Sequence, residues 1–331
     1  MERFALAAAV VLGFALTAAL CSLFVPLRRV LERREQQQQP VQSEQPRPAP
    51  LRAPLWGGLC AAAGTVAAVG VGWLAACVGQ PELLGSEGRL MTRLLTALAG
   101  SLAFGAVGLA EDVARMRSPA ALGLRRDVRL LLEALAAAFV LLLLRAAGCL
   151  PRGLDVPGAG YVLLGSAVPF LWAVLMVALA ECARIAERDE GAVCGAAFVA
   201  MLALMMVEAG LGVSGLAVLP AALAGALVAL GLWAFPPARL GAGCCGSLLA
   251  AGAIGCIPLS LDMTSLTVPL ALPFWAAGGL LAAQLLCAKR TGKPLRCWVK
   301  KHKMSPETVF LCSFALSAVG YVLALALLRW C

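Results

Sequence analysis

The sequence predicts an all-α, polytopic membrane protein, and three observations support that prediction. Of its 331 residues, 61% are hydrophobic and only 14% are charged, whereas about a quarter of the residues in a typical soluble domain are charged. Apolar stretches long enough to cross a hydrocarbon core of roughly 30 Å recur along the whole chain. Aromatic residues make up 6% and alternating patterns are scarce, which argues against an outer-membrane barrel. We therefore expect one transmembrane domain over residues 1–331.

Ten apolar stretches follow one another, and each is predicted to form a membrane-spanning helix. The division before Ala192 rests on charged residues rather than on length, and the eighth stretch is short and rich in glycine, so nine or eleven spans are the alternatives. Residues 28–53, after the first span, include a Gln- and Pro-rich stretch that predicts an extended or disordered cytoplasmic loop. The ten spans cover residues 4–27, 55–78, 94–110, 130–147, 161–180, 192–207, 211–235, 248–261, 266–288 and 309–328.

The basic residues predict the orientation of these spans. Of the 27 Lys and Arg residues, 21 lie in the loops that follow the odd-numbered spans. Because basic loops stay in the cytoplasm, the odd-numbered loops are predicted to be cytoplasmic and both termini to lie outside. The net charge of +9 then reflects topology and contact with anionic membrane lipids, and it predicts no nucleic-acid binding.

The acidic residues gather on the same side. We place 12 of the 18 acidic residues on the cytoplasmic side, and no predicted span carries a pair of acids at mid-membrane. Charged groups inside a membrane usually mark an ion or substrate pathway, so a transporter or channel is disfavoured. A polar region at the cytoplasmic surface suits an enzyme or a binding site that brings a water-soluble ligand to a lipid.

Two short segments carry most of these charges. Glu111 and Asp112 are adjacent carboxylates among arginines, which can bind a divalent cation and its phosphates; a solvated helix end with local ion pairs is the alternative. Helical spacing places Glu181, Arg184 and Glu187 on one side of a helix, where they can pair with each other.

Two further segments are candidates for contact with phosphate or lipid. The glycine-rich segment 237–247 can cradle phosphate with backbone N–H groups, although close helix packing also uses glycine. The basic segment 291–303 contains the single histidine, His302. Basic loops at a membrane surface most often bind lipid headgroups.

Five segments fall in the same order as the motifs of one known family, each at the corresponding span. Residues 53–59 resemble T-P-T-M-G-G, and residues 108–112 resemble G-x-x-D-D, followed by Gly123, Leu124 and Arg129 on G-L-S-A-R-x-K. Residues 181–191 fall on N-x-x-N-x-x-D-G-x-D-G, 237–247 on P-A-x-x-x-x-G-D-T-G-S, and 291–307 on T-G-K, H-H-H and E-P. The chain thus resembles the phospho-N-acetylmuramoyl-pentapeptide transferase (MraY-type) family of polyprenyl-phosphate phosphoglycosyl transferases.

The resemblance implies a reaction and its partners. Such a transferase moves a phospho-sugar, phospho-MurNAc-pentapeptide or a related group, from a UDP-sugar to undecaprenyl phosphate and releases UMP. The reaction would take place at a Mg²⁺ site on the cytoplasmic face of the bacterial cytoplasmic (inner) membrane, in peptidoglycan or cell-envelope polymer synthesis. A homodimer is a candidate assembly.

The resemblance also assigns roles to residues. The candidate catalytic carboxylates are Asp112, Glu111 and Glu187. The metal would be held by Glu187 and Asp112, together with Glu111. The candidate substrate-binding residues are Arg184, Arg129, Lys301, His302 and Lys303.

Several chemically important positions depart from the family pattern. Glu111 and Glu187 stand where the family has Asp, Glu181 and Arg184 stand for Asn, and only one histidine of three remains. Cys244 replaces the metal-binding Asp, and its soft sulfur suits zinc or copper better than magnesium. These departures leave two hypotheses: a divergent phosphoglycosyl transferase, or a catalytically inactive relative that retains the fold to bind a lipid or a protein.

Overall fold

The structure is a computed structural model that describes residues 2–38, 56–79, 88–117, 123–151, 153–156, 160–163, 165, 167–187, 191–213, 215–235, 239–291 and 306–328. These residues are mostly helical. One two-stranded antiparallel hairpin lies between the fourth and fifth helices, with Gly153 opposite Leu163.

The helices and strands follow in chain order. The helices are α1 Glu2–Gln38, α2 Gly57–Gly79, α3 Gly88–Arg117, α4 Arg126–Ala146, α5 Ala167–Ala186, α6 Ala192–Gly210, α7 Val218–Ala234, α8 Gly243–Leu261, α9 Thr267–Leu270, α10 Leu272–Thr291 and α11 Pro306–Leu328. The hairpin consists of β1 Gly153–Val156 and β2 Gly160–Leu163, and a 3₁₀ turn, Thr264–Leu266, precedes α9.

The helical fold class predicted from hydropathy is confirmed, and each predicted span overlaps a helix. Within the described ranges, seven helices are long and apolar enough to cross a membrane. The segment formed by the 3₁₀ turn and α9 is bent by 62° relative to α10, and the number is eight if this pair forms one span. The exact count of ten spans and the outside location of both termini remain predictions.

Several predicted boundaries differ from the structure, three of them for reasons that the sequence makes clear. Tyr161, the predicted start of the fifth span, lies in β2, and α5 begins only at Ala167; the positive φ angles of Gly160 and Gly165 allow the chain to turn here before the helix. α1 continues to Gln38 through Arg, Glu and Gln, which are good helix formers, so the predicted loop 28–53 begins as helix. α8 begins at Gly243 rather than at residue 248.

Two helices form the centre of the bundle. α1 and α2 pack against α7, and α3 packs along α8. The apolar stretch of α8 is 94% buried, and α7 is buried along nearly its whole length. Both helices are therefore apolar or small on every face, as expected for helices surrounded by others.

The two ends of the bundle differ in character. At one end, a side chain of α3 binds the first residues of α8, and side chains of α4 and α5 bind each other. At the other end, the hydroxyl of Tyr161 in β2 lies 3.4 Å from a carboxylate oxygen of Asp262, directly after α8. The segments predicted to be cytoplasmic after the third, fifth and seventh spans thus meet at one end, and the charged site lies there.

Candidate functional site

Asp112, near the end of α3, is hydrogen-bonded to the first turn of α8. One carboxylate oxygen accepts the backbone N–H of Cys244 at 3.0 Å, and the other accepts the N–H of Cys245 at 2.9 Å. The first N–H groups of a helix have no partner within that helix, and a negative charge there also interacts favourably with the helix dipole. Asp112 is only 1% exposed. It therefore caps α8 from a neighbouring helix.

Two glycines allow the close approach that this cap requires. A Cβ atom at Gly108, one turn before Asp112, would overlap the backbone carbonyl of Cys244. A Cβ atom at Gly58 in α2 would overlap the backbone of Ala242 and Gly246. The start of α8 is thus held between the backbones of α2 and α3.

Arg115 lies between two of the predicted catalytic carboxylates. Its Nη2 donates to Glu111 Oε1 at 2.8 Å, and its Nη1 lies 3.6 Å from Glu187 Oε2. Glu111 belongs to the same helix, four residues earlier, whereas Glu187 directly follows α5. The guanidinium therefore joins carboxylates that come from two different helices.

Arg129 and Arg184 extend this ion-pair network. Arg129 Nε donates to Glu181 Oε1 at 2.8 Å, and Arg184 Nη2 donates to Glu181 Oε2 at 2.6 Å. Arg129 Nη1 also lies 3.7 Å from Glu111 Oε1, which connects the pairs of α4 and α5 to those of α3. Among the described residues, three arginines and three glutamates, Glu111, Glu181 and Glu187, thus form one network with equal numbers of positive and negative groups; we call it the charged cluster.

Glu133 lies one turn beyond Arg129 on α4 and is completely buried. Within the described part of the chain, neither of its carboxylate oxygens has a hydrogen-bond partner, and the same is true of Glu111 Oε2. Glu133 interacts electrostatically with Glu181, Arg129, Arg184 and Glu111. It is therefore an additional carboxyl group beside the balanced cluster.

The structure brings most of the predicted site residues together. Glu111, Arg129, Arg184 and Glu187 belong to the charged cluster, and Asp112 lies beside it on α3. The predicted local pairing of Glu181 with Arg184 is confirmed, whereas Glu187 pairs with Arg115. The remaining predicted residues, Lys301, His302 and Lys303, lie outside the described residues.

Two residues of the site were absent from the predicted set. Arg115 follows Glu111 by four residues, and Glu133 follows Arg129 by four residues. The spacing i, i+4 places such side chains together on a helix. This helical spacing was the signal that could have identified both.

The described side chains at this site do not fit a Mg²⁺ ion. Mg²⁺ requires near-octahedral oxygen ligands, but both oxygens of Asp112 accept backbone N–H groups, and Glu111 and Glu187 face Arg115. Cys244 offers a buried sulfur in place of a carboxylate. Among the residues that the structure describes, no group of three His, Cys, Asp or Glu side chains is placed to hold a metal ion.

An apolar cavity of about 580 Å³ lies toward the opposite end of the bundle. Its wall includes Leu171, Trp172 and Leu175 of α5, Val268 of α9 and Leu323 of α11. Leu171, Val268 and Leu323 in this wall are exposed. The cavity therefore adjoins the surface that lipid chains would cover.

The comparison with known families agrees with this arrangement. The family model for glycosyl transferase family 4 matches residues 94–262, a range that contains Asp112, Cys244 and every residue of the charged cluster. No curated protein matches the sequence. Because the family model covers just over half of the chain, the protein belongs to glycosyl transferase family 4, the family that contains the MraY-type phosphosugar transferases.

Proposed function

We propose that this chain is a catalytically inactive member of its family that binds a polyprenyl phosphate in the membrane. Members of the family transfer a phosphosugar from a nucleotide sugar to a polyprenyl phosphate. The observation that carries the proposal is the engagement of both Asp112 oxygens with the backbone of α8. A carboxylate that caps a helix with both oxygens is poorly placed to activate a lipid phosphate.

The other carboxylates support the same conclusion. Transfer of a phosphosugar requires positive charge at the phosphates and a group that activates the acceptor. Glu111 and Glu187 are compensated by Arg115, and Glu181 by Arg129 and Arg184. Because each arginine of the charged cluster already has an internal partner, a substrate phosphate would compete with a glutamate for it.

The apolar cavity supports the lipid-binding part of the proposal. Leu171 and Leu175 of α5 line the cavity, while Glu181 and Arg184 of the same helix belong to the charged cluster. Nine residues separate Leu175 from Arg184, which corresponds to about 13 Å along a helix. A prenyl chain in the cavity could thus direct its phosphate along α5 toward the arginines.

Active transfer of phospho-MurNAc-pentapeptide, or a related group, from a UDP-sugar to undecaprenyl phosphate is the second candidate. It is favoured by the meeting of Glu111, Glu187, Arg129 and Arg184 at one end of the bundle, where the resemblance expects substrate. In that case the ion pairs would open when the nucleotide binds, at the cytoplasmic face of the bacterial inner membrane.

One experiment with two readouts separates these candidates. The purified chain is incubated with undecaprenyl phosphate, UDP-MurNAc-pentapeptide and Mg²⁺, Mn²⁺ or Zn²⁺, and both UMP release and retained lipid are measured. We expect retained undecaprenyl phosphate and no UMP release above that of Asp112→Asn. UMP release well above this control would support the second candidate and overturn the first.

A matched pair of variants tests the lipid site itself. Leu175→Trp places a larger side chain in the cavity wall and should reduce the retained undecaprenyl phosphate several-fold. Leu232→Trp makes the same change on α7 at a side chain that is 67% exposed, and should leave retention unchanged. Equal retention by both variants would remove the cavity from the proposal.

A further inference from the structure

We infer that Arg115 is an internal replacement for the divalent cation of a family metal site. The inference deepens the proposed function and rests on it, since it takes the charged cluster to be a former catalytic site. The guanidinium of Arg115 lies between Glu111 and Glu187, two of the three carboxylates that the resemblance would place around a metal. One nitrogen is 2.8 Å from Glu111 and another is 3.6 Å from Glu187.

A guanidinium suits this position chemically. It remains charged at any physiological pH, and its planar set of N–H donors can bind two carboxylates at once. Glu111 is 97% buried at its side chain and Glu187 is 86% buried. Two carboxylates held this close to the interior need a nearby positive charge. Arg115 supplies it from within the chain, so the pair needs no bound ion.

The neighbouring residues also oppose a bound cation. Arg129 and Arg184 add two more positive charges to the same cluster. A divalent ion that displaced Arg115 would still face the guanidinium groups of Arg129 and Arg184. The nearby Cys244 is fully buried, and its sulfur is a poor ligand for magnesium.

Cation binding to the full-length protein in detergent tests this inference without any reference to catalysis. Mn²⁺ binding is followed by electron paramagnetic resonance, and the melting temperature is recorded with Mg²⁺ and with EDTA. For the wild-type chain we expect no stoichiometric Mn²⁺ site and no shift in melting temperature. A site for one Mn²⁺ ion per chain would overturn the inference.

Substitution of Arg115 should create the response that the wild-type chain lacks. Arg115→Gln removes the guanidinium between Glu111 and Glu187 and leaves the three glutamates of the charged cluster with two arginines. We therefore expect this variant to bind Mn²⁺ and to melt several degrees higher in saturating Mg²⁺. Arg115→Lys keeps the positive charge and should gain neither response. A folded Arg115→Gln variant that ignores divalent cations would contradict the inference. If that variant folds in neither buffer, the wild-type titration decides.

The outcomes separate this inference from the proposed function. A Mn²⁺ site in the wild-type chain without UMP release would overturn only the replacement of the metal by Arg115. UMP release in EDTA would overturn only the proposed absence of catalysis. UMP release that requires Mg²⁺ would overturn both.

Discussion

At the scale of single residues, Asp112 shows how one carboxylate can serve architecture instead of chemistry. Its two oxygens accept the N–H groups of Cys244 and Cys245, so it joins α3 to the start of α8. A sequence motif reports that a carboxylate is present, but not which groups its oxygens face. The hydrogen bonds between the Asp112 side chain and the backbone of α8 join residues more than 130 positions apart in the sequence. Only the folded chain reveals them.

The cap predicts a specific order of stability. Asp112→Ala removes both acceptors and leaves two buried N–H groups without partners, so we expect a loss of about 3 kcal/mol in the free energy of unfolding. Asp112→Asn keeps one acceptor and should lose less. Thermal unfolding in detergent measures both variants. Asp127 is exposed, so Asp127→Asn is the control and should melt at the wild-type temperature. A melting temperature of Asp112→Ala equal to that of the wild type would contradict the cap.

Restoring the family's carboxylate at Cys244 should be harmful. Cys244→Asp would bury a second negative charge next to Asp112, at a position that is 0% exposed, and would add no cation, since Arg115 already pairs with Glu111 and Glu187. Breaking the balance of buried charge in this way costs about 3–5 kcal/mol. Cys244→Ser changes the same side chain without adding charge and should lower the free energy of unfolding far less. An Asp variant as stable as the Ser variant would argue that the cluster tolerates more negative charge than its ion pairs suggest.

At the scale of helices, hydropathy predicted the apolar segments well and their ends poorly. All ten predicted spans overlap helices because a long apolar run has no stable alternative in a membrane. The run that begins at Tyr161 was different: its first residues are apolar, but they pair as β2 with β1. Residues 243–247 looked like a glycine-rich loop, yet they begin α8 because Asp112 caps them.

The charged residues illustrate the same limit. The pair Glu181–Arg184 is local and could be predicted from helical spacing. The pairs Arg129–Glu181 and Arg115–Glu187 join different helices, so their spacing in the sequence carries no signal. Most residues of the site were therefore predicted, Arg115 and Glu133 excepted, but the partners of its charges were not.

Two glycines of α2 test the close packing of the helices. At Gly58 a Cβ atom would overlap the backbone around α8, whereas at Gly70 nothing lies within 4 Å. We expect Gly58→Ala to destabilise the protein by about 1–3 kcal/mol because α2 must move away. Gly70→Ala should be neutral or slightly stabilising, since alanine favours helix. Melting temperatures measure both, and a neutral Gly58→Ala would show that α2 and α8 are farther apart than described.

At the scale of the whole molecule, charge scarcity and charge location have different origins. The 14% of charged residues reflects a chain made mainly of apolar helices. The charged cluster at one end is the ion-pair network that joins α3, α4 and the end of α5. The bundle thus combines an apolar cavity near one end with the charged cluster at the other, which is the division expected for a protein that binds a lipid phosphate.

The predicted orientation can be tested with reporter fusions. If both termini lie outside, alkaline phosphatase fused after Cys331 should be active, and a green fluorescent protein there should be dark. The same reporters inserted after Arg239, in the loop after the seventh predicted span, should behave in the opposite way. A fluorescent fusion at the C-terminus would contradict the predicted orientation.

The measurement that tests the central claim most directly is the release of UMP by the wild-type chain in lipid bilayers. UDP-MurNAc-pentapeptide and undecaprenyl phosphate are supplied together with Mg²⁺, and the Asp112→Asn variant sets the background. Because Asp112 caps α8 and Arg115 occupies the space between Glu111 and Glu187, we predict that both proteins release UMP at the same background rate. Sustained, Mg²⁺-dependent release by the wild type alone would contradict the account.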